Sequence, residues 1–257
     1  MNICLIYSPN WKQYISVELF SLFKNNAAPI RVYLVSDKDG YIETDHITNY
    51  FGEGYDVEFI DLEKLYNERI PSKINVDSRF TKYALYRLLL PEVIHDDKLL
   101  YIDADAIVSG DISELYNSDI SSCHVIGAMD IGADRYNLKK PLGLKPYDIY
   151  INAGVMLMNL KKIREDKVNL TWVKEANSKL YAAHDQCIIN KTCKGKIGLM
   201  SNKYNCSIST GLDLRKEDIK IMHYAGAEKP WDTNNVPNPR FWYDAVREYK
   251  KVFEVNT

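Results

Sequence analysis

Short apolar runs alternate along the chain with stretches in which apolar residues recur every three or four positions. Residues 2–7 read as a buried strand, with Pro9-Asn10 in the loop that follows. From Trp11 to Lys24, the apolar positions 15, 19 and 22, and again 17 and 20, have helical spacing. Arg31 to Ser36 predicts a second strand and Asp56 to Leu62 a third. Asp77-Ser78 suits the cap of a helix through Phe80, Ala84, Tyr86 and Leu88-Leu89-Leu90, with Pro91 near its end. A strand over 99–108 comes next. Such alternation predicts an α/β fold, a parallel sheet with helices on both faces, in which ligands bind at the carboxyl ends of the strands.

The second half is less regular. Ser122 to Met129 predicts a strand ending at Asp130, and Asp130 to Tyr147, rich in Gly, Pro, Lys and Tyr, predicts a loop excursion. Ile149 to Leu160 is a strand pattern interrupted by Asn152 and Gly154. Lys161 to Leu180 reads as one helix with Trp172, Val173 and Ala176 inward, and His184-Asp185-Gln186 opens a short one through Ile188 and Ile189. Ile219 to Met222 is a last strand, leading into His223. No repeat, low-complexity tract or linker is evident, so one domain is expected.

The run from Leu99 to Val108 concentrates the chemistry. A strand-like apolar stretch meets Asp103 and Asp105 and then turns apolar again. An ionised carboxylate in such a setting costs several kcal/mol unless it is partnered. With one residue between them on extended chain, the two acids point the same way, and a hard divalent cation would relieve their repulsion. A solvated turn, or caps for a helix from Ile112 to Asn117, is the bland alternative. His223, at the end of a separate strand, would complete a mixed oxygen and imidazole set that suits Mn²⁺ better than a pure Mg²⁺ cage. Gly226 would let backbone approach a ligand closely, and Lys229 would supply charge suited to a diphosphate. Either residue also suits an ordinary turn or a solvated face.

Composition narrows the classes. Length is 257 residues, with 46% apolar and 26% charged, enough for a sizeable core. A net charge of −2 gives no reason to expect nucleic-acid binding. Five cysteines without a C-x-x-C pair suggest reduced thiols, hence a cytoplasmic setting. The first residues lack the basic start of a signal peptide, and no apolar run approaches the ~20 residues of a membrane span. Three further polar residues interrupt apolar patterns. Asn152 within its strand needs hydrogen-bond partners, from a neighbouring loop or a polyhydroxylated ligand. Asp185 has a plain reading as a helix N-cap, and Arg87 as a side chain snorkelling to the surface.

Taken together, the stretches Tyr83-Ala-Leu-Tyr-Arg-Leu-Leu-Leu-Pro91, Leu100-Tyr-Ile-Asp-Ala-Asp105, Tyr150-Ile-Asn-Ala-Gly-Val155, Asn159-Leu-Lys-Lys162, Asp185-Gln186 and His223-Tyr-Ala-Gly-Ala-Glu-Lys-Pro-Trp231 resemble glycosyltransferase family 8. That group contains lipooligosaccharide galactosyltransferases and glycogenin. The resemblance implies a GT-A type fold with a Rossmann-like, mostly parallel central sheet and a DxD motif at a strand end. It implies a retaining hexosyltransferase that uses a UDP-hexose, UDP-glucose or UDP-galactose, with Mn²⁺, or Mg²⁺ in its place. Residues 1–257 would form one domain: a nucleotide-binding half over 1–110, an acceptor and donor-sugar half over 111–235, and a tail helix over 236–257. By this likeness Asp103, Asp105 and His223 hold the metal, and Gly226 and Lys229 contact the phosphates. Ala104 admits the ribose, and Ser8 and Asn10 line the nucleoside pocket. Arg87, Asn152, Asp185 and Gln186 surround the donor sugar, with Asp130 close to the sugar or acceptor, so Gln186, Asp185 and Asp130 are the candidate catalytic residues. The expected route is front-face, because an amide is a poor nucleophile.

There are departures from the family's pattern. Many members carry an acid in place of Ser8, and the usual Asp-Gln-Asp becomes Asp185-Gln186-Cys187. Ser209 to Asp218 matches no motif. The tail from Pro239 to Phe253 mixes aromatic and basic residues, a composition that suits peripheral contact with anionic lipid and equally a helix packed on the domain. Asp244, Glu248 and Glu254 dilute its basic face. The implied acceptor is a glycan, a lipid-linked saccharide or a glycoprotein. Alternatives are a sugar-nucleotide or glycan-binding protein without turnover, self-glycosylation on one of the 19 tyrosines, and nucleotidyl transfer. The last usually wants a Gly-rich basic loop after the first strand, and Tyr7-Ser8-Pro9-Asn10 offers none.

Overall fold

In a computed structural model, residues 1–72, 74–76 and 81–253 are described. The strands are β1 (Asn2–Ile6), β2 (Ile30–Ser36), β3 (Tyr55–Asp61), β4 (Lys98–Asp103), β5 (Ala106–Val108), β6 (Val125–Met129), β7 (Ile151–Asn159), β8 (Ile197–Leu199) and β9 (Ile221–His223). The helices before the β4 strand are α1 (Lys12–Lys24), α2 (Asp45–Phe51), α3 (Glu63–Arg69), α4 (Lys82–Tyr86) and α5 (Leu90–Val93). Those after it are α6 (Ser113–Tyr116), α7 (Gly132–Arg135), α8 (Leu160–Glu165), α9 (Val168–Ser178), α10 (His184–Thr192) and α11 (Arg240–Phe253). Seven strands form a sheet in the order β3-β2-β1-β4-β7-β6-β8. Its pairs are parallel except those that β7 makes with β4 and β6, which gives the mostly parallel α/β fold expected.

Period-two side-chain direction explains why both faces are covered. On β1, Ile3 and Leu5 enter one core while Cys4 and Ile6 enter the other. On β4, Leu100 and Ile102 share the first side, Leu99 and Tyr101 the second. The first core lies under α1, whose Ile15, Leu19, Leu22 and Phe23 are its buried stripe. The second includes Leu85 of α4, Leu88 to Leu90, and Trp172, Ala176 and Ile188 of the later helices.

Several sequence expectations are revised. The 99–108 stretch is two strands: β4 stays in the main sheet, the chain turns at Ala104 and Asp105, and β5 leaves to pair antiparallel with β9. The turn brings the buried Asp105 and the part-exposed Asp103 to polar partners that a sheet interior lacks. Conversely, β7 runs unbroken through Asn152 and Gly154, because the Asn152 side chain accepts the Gly154 amide at 3.0 Å within the strand. Lys161 to Leu180 divides into α8 and α9 at Lys167, whose φ of 57° ends the first helix. Trp172 and Ala176 are buried as expected, and Val173 is partly so. The helix expected from Asp77-Ser78 begins at Lys82 with the extended Thr81 as its N-cap; Asp77 and Ser78 lie outside the described residues. It tightens into a 3-10 turn over Arg87–Leu89 before α5, which takes up Pro91 in its first turn. The 130–147 excursion contains α7 and a 3-10 turn at Lys140–Leu142. The unforeseen α2, α3 and β8 are short, of seven, seven and three residues, too brief to impose a period.

The tail is a helix packed on the body. Phe241, Trp242 and Ala245 of α11 are buried, Trp242 meets Tyr14 edge-on at 5.7 Å, and Tyr249 meets Phe20 at 5.8 Å. Its aromatic face is therefore spent on α1, leaving Arg240, Tyr243, Arg247 and Lys251 exposed. Among the described residues, no helix is long and apolar enough to cross a membrane. All five cysteines are free thiols.

Glu18 on the inner side of α1 is 1% exposed, and among the described residues neither carboxyl oxygen has a hydrogen-bond partner. Burial, with Asp105 and Asp103 adding like charge, pushes its pKa well above the usual carboxylate range. A carboxyl whose folded pKa is raised contributes fully below its unfolded pKa and loses that contribution as pH climbs toward the folded value. Glu18→Gln, which keeps the shape and removes the ionisation, should therefore raise the thermal midpoint at about pH 8 and lose most of its advantage near about pH 5. A domain of this size gains roughly 2–4 °C for each ~1 kcal/mol, within reach of scanning fluorimetry across that range. An advantage independent of pH would show that Glu18 is not strained in this way.

Candidate metal and donor-sugar site

The register of the small ribbon sets the site. Ala106 on β5 lies opposite His223 on β9, and the Tyr224 amide donates to the Asp105 carbonyl at 2.9 Å. His223 is thereby carried to the carboxyl end of β4. Its Nε2 lies 3.3 Å from Asp105 Oδ1 and 3.6 Å from Asp103 Oδ2. One ligand atom from each of Asp103, Asp105 and His223 falls within 4.8 Å of the others. Such proximity needs room on β7. A Cβ on Gly154 would overlap His223 Cε1 and come within 2.8 Å of Asp103 Oδ2, so glycine here admits both side chains against the strand. Two hard oxygens and an imidazole nitrogen, cradled against bare backbone, fit a divalent cation such as Mn²⁺.

Fixed cations surround this set. Arg87, expected to snorkel, is buried with its guanidinium between two acids, Nη2 at 2.8 Å from Asp103 Oδ1 and Nε at 3.1 Å from Asp185 Oδ2. Its Nη1 donates to the Ala153 carbonyl at 2.6 Å, and the group lies 4.4 Å from the Tyr101 ring centroid. Tyr101 donates its hydroxyl to the same Asp103 oxygen. Burial alone would loosen the Arg87 proton, but Asp103 and Asp185 outweigh it and raise the pKa above the usual arginine value. Asp185 is not an N-cap; Ala183 holds that position, and Asp185 turns inward to Arg87. Burial nevertheless lifts the Asp185 pKa, with Arg87 opposing.

Lys229 is buried against Asp105 and does not lie on a solvated face. Its ammonium stands on Asp105 Oδ2 at 2.5 Å and donates to the carbonyls of Tyr224 at 2.9 Å and Gly226 at 2.7 Å. Gly226 makes this turn possible with a φ of +119°, a backbone shape other residues rarely adopt. Burial acts to raise the Asp105 pKa, yet Lys229 and His223 together bring it below the usual carboxylate range. Trp11 lies across the Lys229 ammonium at 5.3 Å, so the loop that carries Ser8 and Asn10 borders this end of the site. Ser8 is half-buried and Asn10 exposed there, while Ala104 is buried in the turn between the acids.

On the far side, a row of amides completes the set. Gln186 on α10 accepts the Ala153 amide at 3.0 Å and donates to Asp130 Oδ2 at 3.0 Å. Asn152 donates to Gln186 Oε1 at 3.3 Å. Burial raises the Asp130 pKa, with Gln186 and the Gly132 amide partly opposing. Ten of the thirteen site candidates, Arg87, Asp103, Asp105, Asp130, Asn152, Asp185, Gln186, His223, Gly226 and Lys229, thus form one connected array. Cys187 is joined to it through Tyr150, whose hydroxyl lies 3.3 Å from the Cys187 sulfur and accepts from Gln186 Nε2 at 3.5 Å. Two members escaped the sequence reading: Gly154 as the cradle, and Asn205, whose Oδ1 is 2.7 Å from His223 Nδ1. A lone Asn before the last strand carries no spacing signal, so nothing in the pattern marked it.

Comparison with known proteins agrees with this geometry. Residues 2–235 match the model of glycosyl transferase family 8. A Haemophilus influenzae protein provisionally named a glycosyltransferase is 32% identical over 247 residues, covering 90% of this chain and 73% of its own. The Escherichia coli lipopolysaccharide 1,2-glucosyltransferase is 27% identical over 177 residues, which are 62% of this chain and 49% of that one. The structure of the galactosyltransferase LgtC in complex with donor and acceptor sugar analogues has a TM-score of 0.74 at 20% identity, over 96% of both chains, a likeness of fold. The sheet, the paired acids at the end of β4 and the match over residues 2–235 lead to one conclusion: the chain belongs to glycosyl transferase family 8.

Proposed function

We propose that this chain is a retaining hexosyltransferase that moves glucose or galactose from a UDP-sugar to a glycan, a lipid-linked saccharide or a glycoprotein. In this reading Asp103, Asp105 and His223 hold Mn²⁺, or Mg²⁺ in its place. The observation that carries it is the convergence of those side chains within 4.8 Å, joined through Arg87 and Asn205 to the polar row of Asn152, Gln186 and Asp130. A glucosyltransferase and a galactosyltransferase among the similar proteins support a hexose donor. A cation bound there would offset the charge that develops on the diphosphate as UDP departs.

The chain's own residues supply the rest. Arg87 and Tyr101 hold Asp103 in place, so the acids need little reorganisation to grip a ligand. With Asp105 committed to a cation, the Lys229 ammonium turns to the diphosphate, and the Gly226 backbone follows it. Ser8 and Asn10 receive the nucleoside, and Ala104 the ribose. Gln186, Asn152 and Asp130 hold the hexose. Asp185 serves as a positioning residue, because its carboxylate is buried and tied to Arg87. With Gln186 an amide, Asp185 paired and a thiol at 187, the favoured route is front-face. In it the departing phosphate oxygen takes the acceptor's proton while an oxocarbenium-like sugar is held in place. The protein works in the cytoplasm; contact with an anionic membrane surface, if made by α11, uses its basic stripe, since the aromatic side is packed.

The decisive test is a panel of nucleotide sugars assayed for transfer and hydrolysis with and without Mn²⁺. UDP-glucose or UDP-galactose should be turned over only with the metal, and Asp105→Ala should lower kcat/KM by about 10³-fold or more, the scale of several kcal/mol of charge stabilisation. Turnover that survives chelation would reject the metal assignment, and tight UDP-sugar binding without turnover would identify a binding protein instead. Gly154→Ala should weaken Mn²⁺ binding at least ~10-fold in a folded protein, as expected when a ligand's support is displaced. Unchanged affinity, read from the electron paramagnetic resonance of free Mn²⁺, would show that the cradle is dispensable.

A further inference from the structure

Five side chains form a continuous hydrogen-bonded row from the cation-facing imidazole to Asp130. His223 Nδ1 lies 2.7 Å from Asn205 Oδ1, and Asn205 Nδ2 donates to Asn152 Oδ1 at 2.9 Å. Asn152 Nδ2 donates to Gln186 Oε1 at 3.3 Å, and Gln186 Nε2 donates to Asp130 Oδ2 at 3.0 Å. Each amide could in principle be turned end for end. Two backbone groups forbid it. The Gly154 N–H can only donate, and it points at Asn152 Oδ1 at 3.0 Å; the Ala153 N–H likewise points at Gln186 Oε1 at 3.0 Å. Asn152 must therefore present its carbonyl to Asn205, which must answer with its NH₂ and turn its own carbonyl toward His223. Reversing Asn205 would set two carbonyl oxygens 2.9 Å apart in a site where Asn205 is fully buried and His223 is 3% exposed.

We propose that Asn205 is a positioning residue that keeps a proton on His223 Nδ1, so that Nε2 turns its lone pair to the point shared by Asp103 and Asp105. The polarity originates in the backbone of β7. The same row aims the Gln186 carboxamide, so the face that meets a cation and the face that meets a sugar are oriented together. The inference rests on the reading of Asp103, Asp105 and His223 as a cation site; the row of hydrogen bonds does not.

The test has two independent readouts. Side-chain ¹⁵N NMR of the metal-free protein at about pH 8, with His223 assigned by its loss in His223→Asn, reports which ring nitrogen carries the proton. Wild type should show a proton on Nδ1. Asn205→Leu should redistribute it and weaken Mn²⁺ binding by about 10–100-fold, the usual effect of removing a partner behind a ligating histidine. An unprotonated Nδ1 in wild type overturns the proposal. So does Asn205→Leu with Mn²⁺ affinity within about twofold of wild type. If Asn205→Leu does not fold, the wild-type spectrum decides. Failure of wild type to bind Mn²⁺ would reject the cation site while the spectra still judge Asn205.

Discussion

Three carboxylates converge, Asp105 and Asp185 buried and Asp103 with a quarter of its side chain exposed, and their mutual repulsion is the constraint that the surrounding structure answers. A buried charge is tolerated only when it is paired and hydrogen-bonded. Arg87 is shared between Asp103 and Asp185, and Lys229 and His223 stand on Asp105. The Asp105 pKa is lowered because the Lys229 ammonium stands on it with His223 beside it, whereas that of Asp185 is raised because burial prevails over a guanidinium it shares with Asp103. Removing Arg87 would leave two acids uncompensated at once, which is why a guanidinium with several donors in one plane suits this position better than an ammonium.

Two kinds of support hold this charge cluster. One is rigid and central: β4 and β7 lie side by side in the sheet, and the bare backbone at Gly154 lets His223 and Asp103 approach it. The other is peripheral: Lys229 belongs to the irregular segment after β9, held by carbonyls of its own turn and by Asp105. A ligand that neutralises Asp105 competes directly with Lys229, so charge in this segment and charge in the ligand are linked. The amide row, by contrast, is anchored to strand backbone at two points and has no comparable freedom.

The tail shows how packing decides between readings that composition leaves level. Its aromatic and basic residues suit a lipid surface or a protein surface equally. Once Phe241, Trp242 and Ala245 are buried beside α1, that apolar side is no longer available for insertion, and Tyr243 with a charged stripe faces out.

Much of the architecture was legible from period alone: β1 to β4, α1 and the inward face of α9 follow from alternation and helical spacing, because each buries a regular set of apolar positions. The paired acids and the histidine were legible as chemistry, since charged residues beside buried runs demand a partner. Short α2, α3 and β8 were not, having too few residues to show a period. The sequence by itself determined the α/β class, the family likeness and the types of ligand available. Only the tertiary structure decided that Arg87 and Asp185 are partners, that Lys229 rests on Asp105, and that Asn205 stands behind His223. Those contacts join residues between 18 and 124 positions apart along the chain, and their pairing depends on strand register and on two backbone amides of β7, neither of which leaves a mark in the order of residues.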